Sequence, residues 1–261
     1  MFRILFVGDV FGGPGRRCLQ NLLPVLRRRL LPDLIVVNGE NASGGLGLAQ
    51  REAREIFLAG ADVITTGNHV WKQRDLVSLL KQEPHLLRPA NYPAGAPGQG
   101  WVIARAKSGH QVGIVNLEGR VFMNPLDCPF AALEALLAGP LASCEMVCVD
   151  MHAEATSEKQ ALGWHFDGRV SAVVGTHTHV QTADERILPQ GTAYITDLGM
   201  TGPQASVIGM DPEAAVPRFL EQRPQPFRVA KGDAWLHGAL VSIDPASGLA
   251  LAIERVKEPL P

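Results

Sequence analysis

The feature that most constrains the fold is a unit that keeps returning: a short apolar run that stops at glycine, a carboxylate, an amide or an imidazole. Ile4–Val7, Leu34–Val37, Val63–Thr66, Val112–Val115, Met146–Val149, Val170–Val174 and Ala193–Ile195 all have this form. Runs of this length suit buried strands, and helical patterns lie between several of them. Leu19, Leu22, Leu23, Leu26 and Leu30 recur at spacings of three and four after the turn Phe11-Gly12-Gly13-Pro14-Gly15, which predicts a helix that Pro32 stops. Arg27, Arg28 and Arg29 fall in its last turns, where positive charge complements the helix dipole. Further helices are predicted over Ala49–Ala59, ended by Gly60, around Gln73–Lys81, over Phe130–Ala138, and after Asp211-Pro212-Glu213. Ala234–Ile243 and Leu249–Lys257, joined through Asp244–Gly248, predict a β-hairpin. Strands alternating with helices predict an α/β fold with a largely parallel or mixed central sheet and helices on both faces.

No repeat or linker divides the chain, so residues 1–261 are expected as one domain. Glu83–Gly100, with Pro84, Pro89, Pro93 and Pro97, breaks the pattern and is expected to form an irregular loop or small cap around 82–101. A formal net charge of −2 argues against wrapping nucleic acid or coating an anionic membrane, and no stable nucleic-acid complex is expected. No apolar stretch approaches the roughly 20 residues of a membrane helix. The opening Ile4–Val7 run is too short for a signal peptide, so a cytoplasmic location is expected. Cys18, Cys128, Cys144 and Cys148 form no CxxC pair and are expected as small buried hydrophobes or inert thiols.

Ligands of open α/β sheets bind beyond the carboxyl ends of the strands. Here those ends read Asp9, Glu40-Asn41, Asn68-His69, His152 and, within Gly175-Thr176-His177-Thr178-His179, His177 and His179. Side chains in extended backbone alternate with period two, which would turn His177 and His179 the same way. Taken singly, each has an ordinary explanation. Asp9 or Glu40 could cap a helix or meet a ribose, Asn68 could shape a turn, and His152 could be a satisfied core histidine. Their return at successive strand ends instead predicts a metal centre, with enough donors for two ions and Glu40 able to bridge them. Donor chemistry alone leaves iron, manganese and zinc open.

Gly8-Asp9, Gly39-Glu40-Asn41, Gly67-Asn68-His69, His152 and Gly175–His179 resemble the ordered motifs of calcineurin-like metallophosphoesterases. The resemblance is closer to one branch, the YmdB-type cyclic-nucleotide phosphodiesterases. It extends to Gly8-Asp9-Val10-Phe11-Gly12, Asn38-Gly39-Glu40-Asn41-Ala42, Gly67-Asn68-His69-Val70-Trp71, Asn116-Leu117-Glu118-Gly119-Arg120 and Asp197-Leu198-Gly199-Met200-Thr201-Gly202. Three departures set the chain apart from the wider superfamily. Val10-Phe11 follows Asp9 where an Asp-x-His opening is usual, Glu40 stands in place of a bridging aspartate, and Val70 follows Asn68-His69 in place of a glutamate.

The resemblance implies a layered α/β/β/α sandwich. It implies Asp9, Glu40, Asn41 and His179 around one metal, and Glu40, Asn68, His152 and His177 around the other. It further implies two divalent or mixed-valence ions, iron with manganese as the alternative, a homo-oligomer, and 2′,3′-cyclic nucleotides as substrates opened at the 2′ bond. Two ions about 3.5–4 Å apart can hold a bridging hydroxide that attacks phosphorus in line. The leaving oxygen then needs a proton. His69, beside Asn68 and with an unperturbed pKa near neutrality, suits that general-acid role, which the resemblance also assigns. Glu118 is expected in a structural or supporting role.

Other readings compete. The glycine-rich turn Gly8–Gly15 could serve a dinucleotide, but it lacks G-x-G-x-x-G and leaves His152, His177 and His179 idle. A non-catalytic sensor of nucleotide or metal would need the same ligands, and a phosphatase for another phosphoester would share them too. Ser43-Gly44-Gly45 and Gly12-Gly13 could approach a phosphate, and Trp71 or Tyr92 could stack on a base, though core packing suits both aromatics better. Arg120 fits a surface arginine, and His85, His110, His165 and His237 lie outside the strand-end pattern.

Overall fold

Residues 1–261 are described by a computed structural model. Strand β1 (Phe2–Val7) turns Leu5 and Val7 toward one apolar cluster and Phe2, Ile4 and Phe6 toward another. Helix α1 (Gly12–Leu30) covers the first face with Leu19, Leu22, Leu23 and Leu26, and ends where Leu31 takes a left-handed conformation. β2 (Leu34–Asn38), α2 (Gln50–Ala59), β3 (Val63–Thr65) and α3 (Leu76–Leu80) repeat the pattern, with β1, β2 and β3 running parallel. The second half supplies β4 (Trp101–Arg105), β5 (Gln111–Glu118), α4 (Pro129–Ala138), β6 (Met146–His152), α5 (Thr156–His165) and β7 (Ala172–Thr176). Then follow β8 (Arg186–Ile187), β9 (Ala193–Ile195), β10 (Gly202–Pro203), α6 (Pro212–Glu221), β11 (Ala234–Ile243) and β12 (Ala250–Pro259).

These strands form two sheets, ordered β10-β11-β1-β2-β3 with β12 on β11, and β4-β5-β6-β7-β9-β8. Each buries both faces. Alternate residues of β5, β6, β7 and β9 pack either with Leu133, Leu162 and Phe166 on the outer side or with Phe2, Ile4 and Phe6 in the middle. The result is the four-layered α/β/β/α sandwich, whose middle core lies between the sheets. The single central sheet expected from strand–helix alternation is thus two. Alternation reports that a strand has two buried faces, but not whether a helix or a second sheet covers each one.

Other differences are local. The strand expected over Val170–Val174 is β7, which runs on to Thr176. β4 and α5 lacked a clear signal, because β4 is half exposed and α5 buries Glu158 and Lys159 beside Leu162. The irregular stretch 82–101 follows the side of the sandwich. Leu86 pairs with Ile64, Leu87 with Gln99, and Ala90 N donates to Asn116 O, so the segment laces β3 to β5 along one edge of the sandwich. Trp71 and Tyr92 pack edge to face, 5.6 Å between centroids, against the outer core. The cysteines are free, with Cys18 and Cys148 buried. No helix is long and apolar enough to cross a membrane.

Gly8, directly after β1, shows how closely the segments meet: a Cβ there would lie 1.8 Å from the Gly199 carbonyl oxygen. Gly8→Ala is expected to cost about 3 kcal/mol or more by overpacking, whereas Gly95→Ala, with nothing within 4 Å, should stay within about 0.5 kcal/mol. Denaturant unfolding of both variants measures the difference.

Candidate metal centre

Each residue expected at the centre sits at the carboxyl end of a strand or in the turn after it. Asp9 follows β1, Glu40 and Asn41 follow β2, Asn68 and His69 follow β3, His152 ends β6, and His177 and His179 follow β7. Parallel strands bring these ends to one edge of each sheet, and the two edges meet across the middle layer. The approach is close: a Cβ at Gly67 would lie 2.1 Å from His152 Cδ2, so a glycine is needed where β3 meets that imidazole.

His177 and His179 face the same cluster, though not through continued strand geometry. β7 ends at Thr176, and both histidines adopt left-handed backbone, φ 98° and 67°, a conformation uncommon outside glycine. Thr178 between them is anchored. Its N–H and hydroxyl donate to Asp197 Oδ2 at 3.1 and 2.7 Å, and the same oxygen accepts from buried Lys159 Nζ at 2.8 Å. His177 N–H donates to Asp9 Oδ2 at 3.1 Å.

Hydrogen bonds on the far side of each ring set which nitrogen keeps a lone pair for the cluster. The Thr176 hydroxyl donates to Asp150 Oδ1 at 2.7 Å, and accepts from His152 Nδ1–H at 2.9 Å, so His152 presents Nε2. His179 Nδ1–H donates to the Ile208 carbonyl at 2.9 Å and presents Nε2. Glu154 Oε2 lies 3.1 Å from His177 Nε2, which leaves Nδ1 facing inward.

Two donor groupings result. His152 Nε2 stands 3.0 Å from Asn68 Oδ1, 3.1 Å from His177 Nδ1 and 3.7 Å from Glu40 Oε1. His179 Nε2 stands 3.8 Å from Asp9 Oδ1 and 3.0 Å from Asn41 Nδ2. Donors bound to one ion at about 2.1 Å stand about 3.0–3.5 Å apart at angles of about 90–110°, so the first grouping has the spacing of a shared ligand shell. The imidazoles and carboxylates alone do not close into a three-donor shell; each grouping includes an asparagine amide. Asn41 is turned with its nitrogen toward His179 and its oxygen 2.9 Å from His69 Nδ1. A metal ligand would present the oxygen, an exchange of two nearly equivalent positions.

The donors fit a cation. Asp9 Oδ1 and Glu40 Oε2 are buried without any hydrogen-bond partner. Burial pushes the Asp9 carboxyl well above its ordinary range, with Asp197 adding to the effect, and burial does the same to Glu40, with Asp9 and Glu118 adding. Burial also pulls His152 well below its ordinary value and His69 down to about 4. Buried carboxylate oxygens facing neutral imidazole lone pairs repel unless positive charge lies among them.

A cavity of about 440 Å³ opens above the cluster. His69, Glu154, His177 and His179 form its polar floor, while Phe11, Leu46, Met210 and Phe227 form an apolar wall with Arg218 alongside. The overhanging residues come from 208–227, not from 82–101. Sequence reasoning singled out neither Glu154 nor this wall. Ser43-Gly44-Gly45 reaches the cavity through Gly45. Arg120 is exposed, and Glu118 is buried with its carboxyl raised to about 7 by burial. A second cavity of about 300 Å³ lies behind the His179–Ile208 hydrogen bond and is lined by His237, both of whose ring nitrogens are buried and unpartnered.

A sequence profile of the YmdB-like protein family matches residues 5–256. A 2′,3′-cyclic-nucleotide 2′-phosphodiesterase from Bacillus subtilis strain 168 is 48% identical over 254 residues, which span 97% of this chain and 96% of that protein. Among solved structures, a hypothetical protein from Thermus thermophilus superposes with a TM-score of 0.94 at 45% identity, covering 100% of both chains. A novel phosphatase from Mycoplasma pneumoniae superposes with a TM-score of 0.93 at 36% identity, covering 99% of this chain and 93% of its own.

Burial lowers His237 to about 4, with Lys257 adding to the effect. The unfolded chain takes up a proton there near pH 6.5 and the folded chain does not, so stability is complete above pH 6.5 and declines as pH falls from 6.5 toward 4. The decline attributable to this group is about 3 kcal/mol. His237→Gln should flatten the acid limb of the stability curve by that amount, as measured by denaturant unfolding of metal-loaded protein between pH 4 and 8.

Proposed function

The chain belongs to the YmdB-like family, and from that premise we propose that it hydrolyses 2′,3′-cyclic nucleotides to 3′-nucleotides with two metal ions held between its sheets. The observation that carries the reading is the pair of unpartnered buried oxygens, Asp9 Oδ1 and Glu40 Oε2, beside inward-facing imidazole lone pairs. Glu40, Asn68, His152 and His177 would hold one ion, and Asp9, Glu40, Asn41 and His179 the other, with Glu40 between them. Imidazole mixed with carboxylate and amide oxygen suits divalent or mixed-valence iron, with manganese as the alternative. When bound, the ions supply the charge that activates the attacking water and stabilises the phosphate oxygens.

The chain's own residues do the rest. His69 stands on the cavity floor with Nδ1 against the Asn41 side-chain amide, whose nitrogen faces it once the oxygen is turned to the metal, leaving its other nitrogen for the departing 2′ oxygen. Burial keeps the ring neutral before substrate arrives, and an anionic phosphodiester beside it favours the proton it must donate. The apolar wall limits water around the reacting bond. A cavity of about 440 Å³ supports a mononucleotide-sized substrate. Exposed Val216, Phe219 and Leu220 on α6, at spacings of three and four, support the homo-oligomer, and the cytoplasmic location stays part of the reading.

Metal-loaded protein incubated with 2′,3′-cyclic AMP is expected to release 3′-AMP, identified by chromatography. 2′-AMP as the product, or activity confined to phosphomonoesters, would overturn the proposal. His69→Ala should lower kcat by about 100-fold or more at unchanged metal content by elemental analysis; full turnover would remove the proton-donor role. Asn68→Ala and His177→Ala should each lose metal together with activity, and normal metal content in either would remove that residue from the ligand set.

A further inference from the structure

A cyclic nucleotide whose phosphate meets the metal donors has its nucleoside half outside their reach. The metal donors occupy only the floor of the main cavity, and its far wall differs in chemistry. Phe11, buried, stands edge-on to His179 with ring centroids 5.5 Å apart and an interplanar angle of 79°. Phe227 continues from Phe11 at 6.1 Å and 33°. The three rings form an aromatic path from a candidate metal ligand to the mouth of the cavity. Phe227 keeps 44% of its surface exposed, and Leu46, which also lines the cavity, keeps 38%. Large apolar side chains left open beside a polar floor mark a ligand wall.

Glycine backbone packs against the edges of these rings, where no side chain would fit. Gly45, at φ 88°, lies where a Cβ would come within 2.6 Å of Phe227 and 2.8 Å of Phe11, and Gly44 beside it, at φ 62°, has nothing within 4 Å of its own Cβ position. The segment that presents Phe227 is fixed at its root, where Asp211 N donates to Arg228 O and Ala230 N donates to Gly209 O. Arg218, in the last turn of α6, reaches back until Nη1 is 3.8 Å from Met210 Sδ, at the cavity wall.

We propose that Phe227 is the platform on which the nucleobase of the substrate lies, with Leu46 and Arg218 lining the same cavity. This rests on the cyclic-nucleotide reading and extends it from the reacting phosphate to the base. Stacking suits any base, because every base has a π face. The wall offers one guanidinium and little else to read a base edge, so the structure assigns the site to nucleotides as a class, purines binding more tightly than pyrimidines through their larger area.

The test is binding of 3′-AMP and of inorganic phosphate, each by calorimetry, to the metal-loaded full chain and its Phe227→Ala and Phe227→Tyr variants. Phe227→Ala should weaken 3′-AMP by about tenfold and inorganic phosphate by less than about twofold, with Phe227→Tyr restoring the 3′-AMP affinity. Equal weakening of both probes, or no recovery in Phe227→Tyr, would overturn the platform. The two proposals fail separately. Protein that binds 3′-AMP through Phe227 but leaves 2′,3′-cyclic AMP intact would sink the diesterase reading alone. Turnover with 3′-AMP binding indifferent to Phe227 would sink the platform alone.

Discussion

One buried carboxylate holds the two sheets in register with each other. Asp150, on β6 and facing the middle layer, accepts from Asn38 Nδ2 at 3.0 Å and from the Thr65 hydroxyl, both on the first sheet, and from the Thr176 hydroxyl on the second. Its charge is excluded from water, and burial raises its pKa against those three hydrogen bonds and the nearby Lys159. A buried acceptor this fully used is costly to leave unmatched, so it specifies one docking of the sheets in a layer otherwise made of interchangeable aliphatic contacts. The same carboxylate also reaches the candidate metal centre. By taking the Thr176 proton it leaves the hydroxyl oxygen to accept from His152 Nδ1, and so decides which nitrogen of His152 faces inward.

Asp197 has a comparable effect on the neighbouring turn. It gathers Lys159, Thr178 and Gly199, and thereby keeps two imidazoles of the centre in a backbone conformation they would not choose alone. Strain of this kind persists only where the surroundings over-determine it. Lys159 comes from α5 and Asp197 from the loop after β9, so the turn is stable only inside the assembled sandwich.

The strand ends were legible because their signals are local: an apolar run, a glycine, then a donor. Asp9, Glu40, Asn41, Asn68, His69, His152, His177 and His179 therefore could be read from the sequence, and all of them meet at one edge. Asp150 was not singled out, although period two places it on the face of His152. The division into two sheets came from the family resemblance and not from strand–helix alternation, because it depends on which strands pair, and the α5 helix was hidden by Glu158, whose buried carboxylate accepts from Arg120 and Val121 N–H groups rather than facing solvent. The proline-rich 82–101 stretch announced irregular backbone correctly but carried no information about where that backbone runs. Phe227, between Pro226 and Arg228, has no periodic context at all; only its placement against Phe11 gives it a role.

The first sheet is centred on β1, which β2 flanks on one side and β11 on the other. β1 is therefore made long before β11, and its backbone groups are fully paired only once both β2 and β11 have docked. In that interval β1 is an open edge rich in Phe, Ile and Leu, of the sort that joins other chains if left uncovered. The metal donors are split in the same way, four of the seven arriving with the first sheet and three with the second. Neither half of a nascent chain can hold the set. A molecule cut short before residue 234 would carry every donor yet keep its central strand unsealed, so the β11–β12 hairpin, which supplies no donor, is what closes the first sheet.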